Sequence, residues 1–337
     1  MKPLISIVMP SYNAERTIEL ALKSIQMQTV GMESLEILVV DGGSTDQTVA
    51  IAKKYGAVVL DNAKKLPEYA KLIGMHAARG TYLVRQDADE VFTYPEQLED
   101  RLAFLKKNPG IHSMTINQQL PGEHCGVSCR YLCAYGDPFS RFVYGIRDTT
   151  IHTFRANIAS GDGEAAVLTV GDMSQCPIGD SGTTMLDLDY IRGAFPEQTD
   201  SLPFVCSLFS AVCARTKAYG VLRRDVIVHY SGASLRVYLT KLHFRIVNNL
   251  FHKEESGFSS RNQHSPSPRL QFRKYLYPLY ALTLVCPLIE SVYLCLKHRD
   301  ASMLLHAFYV EYVLFDIVWC MVCKIFGRHM KNKTYGK

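Results

Sequence analysis

Hydrophobic positions in the first third of the chain come in short β-branched bursts separated by amphipathic stretches. Leu4–Met9 (LISIVM), Glu36–Val40 (EILVV), Ala57–Leu60 and Thr81–Val84 (TYLV) are apolar runs with little polar alternation, the pattern of strands buried on both faces. Between them, Ala14–Gln28 carries Ile18, Leu22 and Ile25 at helical spacing. Thr48–Tyr55 follows Ser44 and Thr45, either of which can cap a helix, and Leu66–Arg79 runs into the helix-ending Gly80. The order β-α-β-α-β-α-β predicts a doubly wound, parallel sheet with right-handed crossovers. Ligands of such a sheet gather at the carboxyl ends of its strands.

Three of those ends are polar: Ser11-Tyr12-Asn13, Asp41-Gly42-Gly43-Ser44, and Asp87 with Asp89 in RQDADE. Two carboxylates one residue apart repel each other unless a cation sits between them. Oxygen ligands at this density suit Mg²⁺ or Mn²⁺ carrying a diphosphate. A solvated acidic turn capping the next helix is the plainer reading of the same residues. No Gly-x-Gly-x-x-Gly follows the first strand, which argues against a dinucleotide oxidoreductase, and no Gly-x-x-x-x-Gly-Lys-Ser/Thr marks a P-loop. The first loop, PSYNAERT, lacks glycine and holds one basic residue, so a nucleotidyltransferase gripping a triphosphate is a poor match.

The three stretches SIVMPSYNAERTIELALKSIQMQ, EILVVDGGSTDQT and YLVRQDADE, in this order and spacing, resemble the family 2 glycosyltransferases with the GT-A fold, of the membrane-associated prokaryotic type. The resemblance implies a nucleotide-sugar donor, a UDP-sugar first among them, a divalent Mn²⁺ or Mg²⁺, and transfer with inversion. Carried over position by position, it puts Pro10, Tyr12 and Asn13 in the nucleotide pocket and Asp41 on the base or ribose, with Ser44 in the same loop. Lys71 stands where the family usually has arginine and would reach the phosphates, with the charge kept but the bidentate fork lost. Asp87 would contact ribose and Asp89 would hold the metal. Gly182–Phe195 resembles the segment before the family's catalytic acid. The usual Glu-Asp pair reads Thr199-Asp200 here, which makes Asp200 the expected base and Glu197 its fallback. Asp200 also suits a helix cap. His229, closing the strand Asp225–Tyr230, matches a position where the family often has a third metal ligand, and is otherwise an ordinary polar strand end.

The middle of the chain is less legible. Glu96–Lys107 reads as a helix and Ile111–Asn117 as a strand. Residues 120–165 are rich in Gly, Cys and aromatics, with Asp137-Pro138 and Arg147-Asp148 as either acceptor contacts or turn residues. Cys125, Cys129 and Cys133 fall at i, i+4 and i+8, one helix face or a metal cluster. Cys320 and Cys323 form a C-x-x-C without a βαβ setting, a weak redox motif.

Two segments near the C-terminus change the picture. Tyr275–Leu296 carries one charge, Glu290, and Met303–Phe326 carries Glu311, Asp316 and Lys324. Each is long enough to cross the hydrocarbon layer, which takes about 20 helical residues. A spanning hairpin, two helices lying in the interface, and a soluble helical hairpin over the catalytic domain all fit. Basic residues flank the pair (Arg269, Arg273 and Lys274 before; Arg328, Lys331 and Lys333 after), and Arg236, Lys241 and Arg245 of the basic amphipathic stretch Ser234–Leu250 could meet either the diphosphate or anionic lipid head groups. The expected organisation is therefore a GT-A catalytic domain over 1–250 (nucleotide-sugar half 1–118, acceptor half 119–250), a Ser/Pro-rich linker over 251–268, and an apolar helical region over 269–337.

Composition adds bounds. At 337 residues, 47% hydrophobic and 20% charged, the chain can bury a large core. A net charge of +5 with no stacked-aromatic basic motif argues against a nucleic-acid partner. The N-terminal MKPLISIVMPSYN is too short an apolar run for a signal peptide, and the ten scattered cysteines suit a reducing compartment. The expectation is an inverting sugar transferase at the cell membrane, its catalytic domain facing the cytoplasm. Its acceptor would be a glycan or lipid-linked hydroxyl or phosphate in glycan, lipopolysaccharide or exopolysaccharide assembly. A polyprenyl-phosphate glycosyltransferase is the alternative, and a non-catalytic GT-A scaffold the rival from another class.

Overall fold

The computed structural model describes residues 2–144, 158–161, 163–171, 176, 183–231, 234–252 and 268–330. The strands β1 (Ile5–Ser11), β2 (Leu35–Asp41), β3 (Val58–Asp61) and β4 (Tyr82–Arg85) lie parallel in the order β3-β2-β1-β4. Ile5, Ile7 and Met9 face one side of the sheet and Val8 the other, so both faces of β1 are apolar and both are covered. On the first side lie α1 (Ile18–Gln26), α2 (Thr48–Lys54) and α4 (Gln97–Lys107). On the second lie α3 (Pro67–Ala77), α7 (Leu188–Ala194), α8 (Leu202–Cys206) and α9 (Leu208–Thr216).

The second half of the sheet is mixed. β10 (Thr184–Asp187) runs antiparallel to β4 and to β6 (Ser113–Met114), and the sheet continues through β11 (Ala218–Leu222), β9 (Ala165–Thr169) and β8 (Ile158–Gly161). The strand expected over Ile111–Asn117 is interrupted. Only Ser113 and Met114 pair in the large sheet, and the chain then enters β7 (Gln118–Pro121) of a second one. That smaller sheet has the order β5-β12-β7, with β5 (Glu90–Phe92) antiparallel and β7 parallel to β12 (Val226–His229). Arg101 of α4 fixes the start of β12. Its Nε and Nη2 each bond a separate oxygen of Asp225 at 2.7 Å, with both side chains wholly buried.

A third core lies outside the sheet. It joins α5 (Val127–Ala134), α6 (Pro138–Tyr144) and α10 (Leu235–Phe251) to α11 (Pro268–Leu282), α12 (Val285–His298) and α13 (Leu305–Ile325). Its interior is rich in tyrosines whose hydroxyls are all engaged. Tyr131 bonds His306 at 2.8 Å, Tyr238 donates to the Gly136 carbonyl at 2.8 Å, Tyr277 to the Val310 carbonyl at 3.0 Å, and Tyr309 to Ser128 at 2.9 Å.

The segment expected as one apolar helix over Tyr275–Leu296 is two helices. α11 and α12 meet at a break beside Thr283 and bend by 92°. Leu284 at the break has φ 55°, and Pro287 falls in the first turn of α12, where its missing N–H costs no hydrogen bond. Among the described residues no single helix is long and apolar enough to cross a membrane, though this bent pair passes by length and composition together. Arg147, Asp148, Lys331, Lys333 and residues 253–267 of the linker expected over 251–268 lie outside the described residues.

Candidate active site at the carboxyl ends of the parallel strands

The loops after β1 and β2 lock onto each other. Asn13, at φ 48°, receives Thr45 N–H on its side-chain oxygen at 2.8 Å, and its own N–H donates to Ser44 Oγ at 2.8 Å. Asp41 is buried and accepts four bonds: from Ser11 Oγ (3.0 Å), Ser44 Oγ (2.5 Å), Gly43 N–H (2.9 Å) and Ser44 N–H (2.7 Å). Its carboxylate therefore shapes the Gly42-Gly43-Ser44 loop, with Gly43 at φ 82°. Pro10 and Tyr12 are half-buried at the same edge, and the Tyr12 ring lies over Gly42, where a Cβ would meet it at 3.4 Å.

The turn after β4 carries the acidic pair. Gln86 Nε2 donates to the Glu90 carbonyl at 2.8 Å, and Asp87 N–H to Glu90 Oε2 at 3.0 Å, so Gln86 and Glu90 close the turn under Asp87 and Asp89. β12 supplies the third member. Because His229 pairs with Glu90 in the β5–β12 register and Tyr230 N–H bonds the Asp89 carbonyl at 2.7 Å, His229 Nε2 comes to 3.2 Å from Asp89 Oδ2. Lys71 of α3 and Lys241 of α10 both act electrostatically on Asp87.

The charges sort themselves. Asp87 opens to solvent, yet lost hydration and the Asp89 charge raise its pKa. Lost hydration works the same way on Asp89, but His229 and then Lys241 outweigh it and bring Asp89 down to about 2. His229 is held up at about 9: burial opposes its charge, and Asp89 followed by Glu90 overcomes that. Burial, then Asp87, pushes Glu90 up to about 8, so it is neutral at pH 7. Asp89 and His229, with Asp87 close enough for the Asp89 charge to act on it, bring carboxylate oxygens and one imidazole nitrogen to this strand end. That set fits a hard divalent ion such as Mn²⁺ or Mg²⁺.

Glu90 and Glu68 escaped the sequence reading. Glu90 was visible only as the acid following Asp-x-Asp. Glu68, in the first turn of α3, is buried with Oε2 partnerless, a position nothing in its neighbours' pattern announces. Cys125, just before α5, and Cys129 and Cys133 within it do share a face. Cys125 and Cys129 lie 3.7 and 3.8 Å from the His229 carbonyl, and Cys133 lies 3.8 Å from His229 Nδ1.

Asp200 is not brought to this cleft. It pairs with His76 Nε2 at 3.0 Å, and its side chain is 85% exposed. α3 starts at the cleft edge and runs back along the sheet, so His76, in its last turn, marks the end away from Asp87 and Asp89. Thr199 bonds the same His76 through its carbonyl at 3.3 Å. In this structure the expected base Asp200 is engaged by His76 and makes no contact with Asp87, Asp89 or His229 among the described residues. Between β10 and the hydrophobic helix α8, the Pro196–Ser201 turn follows α7 to the amino-terminal side of the strands, where Lys2 meets Asp189. Asp137, an expected acceptor contact, caps α6 through the Ser140 N–H at 2.7 Å and faces Arg245 at 3.8 Å.

Comparison with known proteins agrees with this geometry. Residues 6–118 match the sequence profile of glycosyl transferase family 2. A putative glycosyltransferase, EpsE, of Bacillus subtilis is 34% identical over 113 residues, covering 32% of this chain and 40% of its own length. The low-salt glycan biosynthesis hexosyltransferase Agl6 of Haloferax volcanii is 31% identical over 121 residues, covering 36% of this chain and 29% of its own. The chain thus spans less than half the length of these curated relatives. The mannosyltransferase PcManGT of Pyrobaculum calidifontis, solved with GDP-Man and Mn²⁺, superposes with a TM-score of 0.50 at 14% identity, covering 95% of this chain and 88% of its own, a likeness of GT-A fold. Over residues 6–118 the chain is similar to glycosyl transferase family 2.

Proposed function

We propose that this protein is a divalent-metal-dependent glycosyltransferase that moves a sugar from a nucleotide-sugar donor to an acceptor presented at a membrane surface. The observation that carries the reading is the Asp89–His229 pair at the carboxyl end of β4, with Asp87 two residues before Asp89 in the same turn and the interlocked Asn13 and Ser44 loops at the neighbouring strand ends. In this reading the loops seat the nucleoside, Asp89 and His229 hold the ion with Asp87 beside it, and Lys71 and Lys241 face the diphosphate. The bound ion would supply neutralisation of the charge that builds on the departing nucleoside diphosphate. Lys71 adds positive charge on the α3 side, and Glu90, neutral at pH 7, keeps the acidic site from accumulating a third negative charge.

Support for a membrane-held acceptor comes from the helical bundle. Its outward faces leave Leu279, Leu288, Ile289, Leu296, Phe315 and Trp319 more than half exposed. Patches of this size on a soluble surface mark interaction sites. Exposed Lys297, Lys324 and Arg328 border them, which suits a headgroup layer on the cytoplasmic face. Asp200, held away from the cleft, favours the polyprenyl-phosphate form of this reading. A phosphate acceptor is already ionised and needs no carboxylate to take its proton.

The test is release of nucleoside diphosphate by the full chain in detergent with Mn²⁺ or Mg²⁺. UDP-sugars come first, then GDP- and dTDP-sugars, each with lipid-hydroxyl and lipid-phosphate acceptors. Metal-dependent release from one donor, lost in Asp89→Ala, supports the reading. No release and no thermal shift with any donor would leave a binding protein on the same fold.

A further inference from the structure

The donor cleft and the helical bundle share one wall, α10, and its far face carries a second cluster of metal-ligating side chains. Lys241 of α10 acts on Asp87 and Asp89. His243, two residues on, is rotated by about 200° around the helix axis and meets α13 instead. There its Nδ1 lies 2.8 Å from Asp316 Oδ1 and 2.9 Å from Oδ2. Cys320, one turn beyond Asp316 on the same face of α13, places Sγ 3.9 Å from Asp316 Oδ1. The three ligand atoms lie within 4.8 Å of one another.

We propose that His243, Asp316 and Cys320 form a structural zinc site that clamps α10 to α13. Nitrogen, oxygen and sulfur together are the donor mixture that suits Zn²⁺ and disfavours Mg²⁺ or Mn²⁺. Tetrahedral bonding at ordinary Zn–N, Zn–O and Zn–S lengths separates such atoms by about 3.3–3.6 Å, so the His243–Asp316 gap would widen by about half an ångström, the Asp316–Cys320 gap would close by about a third of one, and the His243–Cys320 gap, within 4.8 Å, would close by at most about 1.2 Å. The rest of the α10–α13 seam is already in register. Tyr312 Oη donates to the Leu239 carbonyl at 3.3 Å, and Lys324 Nζ to the Leu250 carbonyl at 2.5 Å. The latter bond turns the Lys324 ammonium away from the cluster and over the Phe251 ring. Cys323, buried within the same C-x-x-C, acts on Cys320 through its charge but lies outside the three-atom group, so water would take the fourth position.

Binding displaces one proton. Burial, followed by Asp316 and Cys323, pushes the Cys320 thiol up to about 12, so it is protonated at neutral pH. As the Zn–S bond forms, that proton leaves to solvent; His243 Nδ1 gives up the hydrogen it directs at Asp316, the ring keeping a proton on Nε2, so that Nδ1 and the carboxylate can both bind the ion. The clamp would fix the rotation of α10 and with it the direction in which Lys241 points. The site therefore has a purpose outside the chemistry of the cleft, and its test does not depend on turnover.

The experiment is a Co²⁺ titration of the full chain in detergent after treatment with a chelator. Cobalt reports a thiolate ligand through a sulfur-to-metal charge-transfer band in the near ultraviolet, and the candidate ligands of the cleft, Asp87, Asp89 and His229, have no sulfur. One equivalent of Co²⁺ should give this band and Zn²⁺ should remove it. Cys320→Ser should abolish it, and Asp89→Ala should leave it in place. Zn²⁺ should also raise Tm in the wild type and in Asp89→Ala, but not in Cys320→Ser or His243→Asn. Absence of the band in the wild type overturns the proposal. So does a band that survives Cys320→Ser, which would assign the thiolate to another cysteine, such as those beside His229.

Discussion

His229 Nε2 stands 3.2 Å from Asp89 Oδ2, two groups from distant parts of the chain joined by the antiparallel pairing of β12 with β5. The pair holds an acidic and a basic group charged against each other at pH 7, and a divalent ion entering there displaces the imidazole proton. His229→Gln is expected to keep the fold and to raise the Mn²⁺ concentration for half-maximal turnover by about tenfold or more. An unchanged metal requirement in a titration of nucleoside-diphosphate release would remove His229 from the ligand set.

The strand that delivers His229 rests on Arg101. With both oxygens of Asp225 engaged, and Gln97 Nε2 a further donor at 2.7 Å, this is a fully buried and fully bonded ion pair. Removing one partner leaves a charge in a site without water. Arg101→Ala should cost about 3–5 kcal/mol in chemical denaturation, whereas replacing Arg101 by Met together with Asp225 by Leu should recover much of that loss. Equal destabilisation by the single and double changes would show that packing, and not the stranded charge, sets the cost.

How much of this was legible depended on the range over which each signal acts. β1 to β4 and their helices were readable because each apolar burst is local and its partners follow in chain order. Asp87 and Asp89 were readable because both lie at one strand end. His229 could be named from its motif position, but its contact with Asp89 depends on β5–β12 pairing, which no local pattern encodes. Asp200 went the other way. The sequence shows an acid before an apolar helix, while its location follows from α7 turning the chain back along the sheet. Tyr275–Leu296 read as one span because hydropathy averages over Thr283 and Leu284. The left-handed φ at Leu284 and the start of a new helix at Val285 become visible only in the backbone. Tyrosines 131, 238, 277 and 309 hid the third core, since an aromatic with a hydroxyl looks equally at home in a core, an interface or a loop.

Gly74 determines how closely α3, and so Lys71, approaches the sheet. A Cβ at this position would fall 2.2 Å from Val8 Cγ1, on the central strand. Gly74→Ala should therefore destabilise by about 1–3 kcal/mol through overpacking and weaken donor binding as α3 lifts. Adding Val8→Ala opens the space and should restore donor affinity more fully than stability. Thermal melts and donor titrations on the single and double variants check this. If Gly74→Ala binds donor normally, the seating of α3 does not position Lys71.

Asp200 provides a decision between acceptor classes. In this structure it pairs with His76 in the last turn of α3 and touches none of Asp87, Asp89 and His229. Asp200→Asn is expected to stay within about threefold of wild-type turnover, where loss of a general base typically costs about 10²–10⁴-fold. A loss of that size would mean that the Pro196–Ser201 turn rearranges on donor binding, and would restore a hydroxyl acceptor activated by Asp200.

Glu290 ties the stability of the helical bundle to pH. Partial burial alone would raise its pKa, but His306 at 3.5 Å, with Tyr280 and Tyr135 donating hydrogen bonds at 2.5 and 2.8 Å, reverses that and holds it at about 2, below its ordinary 4.5. A carboxylate with a depressed folded-state pKa stabilises the fold fully above the unfolded value and loses that contribution as pH falls through the folded one. The wild type should therefore melt above Glu290→Gln at pH 6–7, and the gap should close as pH drops from about 4.5 towards 2. The two proteins should converge because acid removes from the wild type the same charge that the substitution removes at every pH. A gap in Tm that stays constant across this window would mean that glutamine disturbs the Tyr135–Tyr280–His306 packing itself, and that the charge on Glu290 adds nothing to the bundle.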